Sequence, residues 1–84
     1  MTEKPIRVLM VDDHPLIREG LQAVLSQAPG LELVAQASDG IEGLRLARAL
    51  QPDVILMDLL MPGMNGLAAT QAILSEFPHM RVVI

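Results

Sequence analysis

The chain has 84 residues, enough for one small domain. Hydrophobic residues make up 51% and charged residues 19%, a globular balance that excludes intrinsic disorder. A net charge of −4, six scattered basic residues, one aromatic (Phe77) and no cysteine exclude a nucleic-acid footprint, a base-stacking surface, a disulfide framework and a thiolate metal site.

In chain order, Ile6 to Val11 is an apolar run broken only by Arg7, and it reads as a buried strand. The run meets acids too soon to be a signal peptide. Pro15 suits the first position of a helix, and Ile17, Leu21, Val24 and Ala28 follow on one helical face until Pro29-Gly30. Leu31, Leu33, Ala35 and Ala37 alternate with Glu32, Val34 and Gln36, the period of an edge strand with one wet face. Asp39 with Glu42 resembles a capping box opening a helix from Gly40 to Leu50, with Ile41, Leu44, Ala47 and Leu50 inward. Val54 to Met57 reads as an interior strand. Asn65 caps a third helix with Ala69, Ile73 and Phe77 on its inner face, and Pro78 closes it. Arg81 to Ile84 reads as a fourth strand. The densest apolar stretch, Val54 to Met64, contains Asp58 and Pro62 and is shorter than the roughly twenty residues a membrane span requires, so a soluble cytoplasmic protein is expected.

The alternation β-α-β-α-β-α-β predicts a parallel sheet covered by helices, and right-handed crossovers favour the strand order 2-1-3-4. That order brings the ends of strands one and three together where the winding reverses, the position at which open α/β sheets bind ligands. Asp12 and Asp13 end the first strand and Asp58 ends the third. Three carboxylates at one rim repel unless a cation offsets them, and oxygen donors favour a hard ion, Mg²⁺ or Mn²⁺. Such a site suits phosphoryl transfer, and a carboxylate can itself be the nucleophile. A single acid at such a junction reads more simply as a helix cap, as Asp13 before Pro15 could be. Three acids on adjacent strands favour a site, and Asp58 carries most weight because its apolar surroundings make a carboxylate costly. His14 reads as a half-exposed junction residue, with ligand or base as the alternative, and His79 as loop surface. No glycine-rich phosphate loop follows the first strand.

The segments VDDHPLIREGL, ASDGIEGL and DVILMDLLMPGMNG, in this order, resemble the receiver domain of bacterial response regulators. The DDH start and the MPGMNG loop most resemble NarL/FixJ-type (LuxR-family) transcription factors. The resemblance implies a flavodoxin-like (CheY-like) three-layer fold, with Asp58 as phosphoacceptor. It implies metal ligation by Asp13, assistance from Asp12, and a further ligand in the backbone carbonyl of Leu60. It also implies a sensor histidine kinase as phosphodonor and no classical enzymatic turnover. A complete receiver domain continues to a Ser or Thr, a fifth strand ending in Lys and a last helix, and this type carries a helix-turn-helix output domain. Residues 1–84 are therefore expected to be a partial receiver domain, with DNA contacted only through the absent output domain. The alternative expectation is a phosphorylation-impaired piece that self-associates, as a dimer or larger, through its fourth strand and a sheet face short of cover. A Mg²⁺-dependent phosphohydrolase is the weakest reading, because Asp58-Leu59-Leu60 lacks the second acid of a DxD pair.

Overall fold

The computed structural model describes residues 4–59, 61 and 65–84. Its elements are β1 (Ile6–Val11), α1 (Pro15–Ser26), β2 (Leu31–Ala37), α2 (Gly40–Leu50), β3 (Val54–Met57), α3 (Gly66–Glu76) and β4 (Arg81–Val83). The four strands are parallel in the order β2-β1-β3-β4, the flavodoxin-like arrangement expected from the sequence. β1 lies between two neighbours, which is why its central residues can all be apolar: Val8 to Val11 are buried on both faces.

Most of the core sits under α2 and α3. Leu9, Val11, Ala37 and Ile55 from the sheet meet Leu44 and Ala47 of α2 and Ala69 and Ile73 of α3. Gly43 lets α2 approach β1, since a Cβ there would press on the Val11 side chain. Asp39 caps α2 by accepting the Glu42 backbone N–H at 2.7 Å, and Glu42 in return accepts the Ser38 N–H at 3.0 Å. At the other end, Gln51 takes a left-handed conformation (φ 45°), and the Arg7 guanidinium donates to the helix-terminal carbonyls of Leu50 and Gln51 at 2.7 and 3.2 Å. Arg48 of α2 grips Glu76 of α3 through Nε at 2.9 Å to each carboxylate oxygen and a terminal nitrogen at 2.7 Å.

The structure corrects the sequence reading in three places. β2 carries a register shift between the pairs Val8–Leu33 and Leu9–Ala35. Val34 is the extra residue, so Leu31 and Leu33 share a face with Val8, while Ala35 and Ala37 turn to the α2 side. No fully wet face results, and Gln36 is half-buried with its Nε2 donating to Gln22 Oε1 of α1 at 3.2 Å. On α1, Ile17 and Val24 are exposed while Arg18, Leu21 and Leu25 are half-buried, and Ala28 is half-buried just past the helix end. On α2, Ile41 faces outward, and Gly40, Gly43, Leu44 and Ala47 are buried.

Candidate functional site

The sheet's own hydrogen bonding places the acids. Asp12 follows β1 and its backbone N–H donates to Ala37 of β2 at 3.0 Å. Asp58 follows β3 and its N–H donates to Val11 of β1 at 2.9 Å. Both residues thus extend the parallel ladder by one step, at the C-terminal rim where α1 and α3 begin. α3 is held close behind Asp58: Gly66 donates its N–H to Leu59 at 3.1 Å, and Asn65 caps the helix through its side-chain oxygen on the Ala68 N–H at 2.8 Å.

The expected acids do converge. Donor atoms of Asp12, Asp13, His14 and Asp58 all lie within 4.8 Å of one another. The carboxylates are mostly shielded, with side chains 15%, 29% and 20% exposed for Asp12, Asp13 and Asp58 against 58% for His14. Asp13 does not cap α1. His14 holds the N-cap position and makes no side-chain capping bond. Asp13 Oδ1 is instead buried with no hydrogen-bond partner among the described residues, and its ion-pair neighbour is His14 at 3.2 Å. Leu60, whose backbone carbonyl is the remaining expected ligand, lies outside the described residues. His79 is exposed in the loop before β4, as expected.

His14 is the residue that sequence reasoning undervalued. It is half-exposed at the junction, yet its Nδ1 lies 2.7 Å from Asp12 Oδ1, 3.2 Å from Asp13 Oδ1 and 3.3 Å from Asp58 Oδ2. Its backbone N–H donates to the same Asp12 oxygen at 2.7 Å, which locks the turn. The hydrogen bond to Asp12, followed by the charge of Asp13, raises the imidazole above its ordinary pKa of 6.5. The one sequence signal was its position directly after two acids.

Three carboxylates at the ends of neighbouring strands, one of them with an orphaned buried oxygen, form a donor set that fits a hard divalent cation.

Known proteins resemble the chain in sequence and in fold. Residues 8–84 match the response regulator receiver domain. The chain is 51% identical over 79 residues to the transcriptional regulatory protein LiaR of Bacillus subtilis, covering 94% of this chain and 37% of LiaR. It is 42% identical over 82 residues to the nitrate/nitrite response regulator protein NarL of Escherichia coli K12, covering 98% of this chain and 38% of NarL. Among solved structures, the signal receiver domain of the putative response regulator NarL from Mycobacterium tuberculosis superposes with a TM-score of 0.89 at 41% identity, covering 95% of this chain and 64% of that one. The chain thus spans well under half the length of these two curated relatives.

Proposed function

The chain belongs to the response regulator receiver domain family, and from that membership we propose that it is a phosphoacceptor switch module of two-component signalling, with Asp58 as the acceptor. The observation that carries the proposal is the meeting of Asp58 with Asp12 and Asp13 across adjacent strand ends. The donor is a phosphohistidine of a sensor histidine kinase. An Asp58 carboxylate oxygen attacks the phosphorus; one P–O bond forms, the P–N bond breaks, and the leaving imidazole takes its electron pair and then a proton from solvent. The chain accepts the group once and does not turn over a separate substrate, so it is not an enzyme in the ordinary sense.

Asp12, Asp13 and Asp58 would hold Mg²⁺ or Mn²⁺. When bound, such an ion offsets carboxylate charge and the charge of the transferring phosphoryl oxygens. The residues of the chain supply position. The β1–β3 ladder fixes Asp58 beside Asp12, and the close packing of Gly66 behind Asp58 holds its backbone. Phosphorylation would control a transcription-factor output domain of the kind that LiaR's name implies. No helix among the described residues is long and apolar enough to cross a membrane. Membership of the receiver-domain family supports a cytoplasmic site of action.

The test is incubation with Mg²⁺ and a small acyl phosphate, read by intact mass. One added phosphoryl group, absent in Asp58→Asn, supports the reading. A phosphoryl group retained in Asp58→Asn rejects it.

A second reading, self-association, has its own observation. The α1-side face of the sheet carries a groove of about 330 Å³ lined by Met10, Leu21, Leu56, Val83 and Ile84. An apolar groove of this kind invites pairing with a second copy. Sedimentation at micromolar concentration decides: a concentration-dependent dimer supports it, and a constant 9.1 kDa monomer rejects it.

A further inference from the structure

The acidic rim accounts for the oxygen donors, but it does not account for the imidazole among them. His14 Nδ1 is in contact with all three carboxylates, at 2.7, 3.2 and 3.3 Å. Ligand bonds of about 2.0–2.2 Å place neighbouring donors of an octahedron about 3 Å apart. The three nitrogen–oxygen distances bracket that value, so Nδ1 stands where a fourth donor to a shared ion would stand. The ring has no capping task to hold it away from the cluster. His14 is the N-cap of α1 but makes no side-chain capping bond, and its backbone N–H is fixed on Asp12 Oδ1. An ion bound there would take the Nδ1 lone pair after displacing the proton that Nδ1 shares with Asp12 Oδ1, leaving a neutral imidazole ligand.

We propose that His14 is a further ligand of the divalent-ion site, through Nδ1, and that it shifts the preference of the site from Mg²⁺ toward transition ions that accept imidazole. The proposal rests on the metal-binding reading given above and deepens it. Carboxylates alone suit Mg²⁺ and Mn²⁺ alike, whereas a nitrogen donor adds affinity for ions later in the first transition row and little for Mg²⁺. His14 thereby becomes a specificity-determining residue for the ion.

The experiment has three arms on the 84-residue chain. Electron spin-echo spectroscopy with Mn²⁺ is expected to show a directly bound nitrogen, lost in His14→Ala. Bound Mn²⁺ without nitrogen coupling in the unaltered chain overturns the proposal, and this arm does not depend on any variant folding. In calorimetry, His14→Ala is expected to weaken Ni²⁺ by about tenfold or more and to change Mg²⁺ by less than about threefold. Equal loss of both ions, or a Ni²⁺ loss that appears in His79→Ala instead, overturns it. In the third arm, Asp13→Ala is expected to remove Mg²⁺ and Ni²⁺ binding together. Retention of both ions in Asp13→Ala places the metal outside the cluster and removes the underlying reading as well, whereas failure in the first two arms alone leaves that reading standing.

Discussion

Gly66 packs so tightly on the backbone of Asp58 that a Cβ at position 66 would overlap the Asp58 carbonyl oxygen and the Leu59 Cα. The first residue of α3 is thus set against the proposed acceptor residue itself, with backbone rather than a yielding side chain as the obstacle.

Gly66→Ala is therefore expected to push the start of α3 away from the rim. Overpacking of this kind costs about 1–3 kcal/mol. The loss should appear in urea unfolding, together with weaker Mg²⁺ binding. Gly20, exposed on α1, has open space where a Cβ would stand, with no atom within 4 Å. Gly20→Ala should therefore gain roughly 0.5–1 kcal/mol from helix propensity alone. Equal destabilisation by the two substitutions would show that Gly66 has no special relation to Asp58.

Two aspartates with similar sequence settings should separate in a metal titration. Asp13 offers an orphaned buried oxygen to the cluster, whereas Asp39 is committed to the Glu42 N–H. Asp13→Ala should abolish Mg²⁺ binding in calorimetry with little loss of stability. Asp39→Ala should cost about 1 kcal/mol through its lost cap and leave Mg²⁺ affinity unchanged. A Mg²⁺ isotherm altered by Asp39→Ala and not by Asp13→Ala would misplace the site.

The α2–α3 clamp predicts a pH effect with a definite sign. The hydrogen bonds from Arg48 hold the Glu76 carboxyl below its ordinary value of 4.5. With the folded value lower, the unfolded chain binds the proton more readily. The contribution of the pair is then fully present above pH 4.5 and is lost as pH falls through the lowered folded value. Urea midpoints measured downward from pH 6 should fall more steeply for the unaltered chain than for Glu76→Gln. Both side chains are well exposed, so raising the salt concentration should shrink the difference. Parallel curves would mean that the pair contributes nothing measurable.

The sheet order and the acid cluster were legible because β1, apart from Arg7, and β3 are apolar runs each followed directly by aspartate, and few topologies bury two such strands. The inner faces of α1 and α2 were less legible. Ile17, Val24 and Ile41 fit a helical apolar stripe as well as their neighbours do, and only the placement of each helix over the sheet decides which residues turn outward. The shift at Val34 leaves no local sign either, since a strand read by alternation alone carries its period through the extra residue. His14 escaped for a different reason: its exposure fits the bland reading, and its three carboxylate contacts depend on Asp58, more than forty residues further along the chain.

The ladder bonds at Asp12 and Asp58 make the site a gauge of strand alignment. Val11 pairs with Met57, so Asp58 stands across from Asp12. A slip of β3 by one residue would set Asp58 opposite Asp13 and turn its side chain to the other face of the sheet. The carboxylates can therefore meet only when β1 and β3 are in native register, and a bound divalent ion would act as a latch on that alignment. Amide exchange at Asp58, whose N–H closes on Val11 at 2.9 Å, would report the latch directly, slowing as the ion is added.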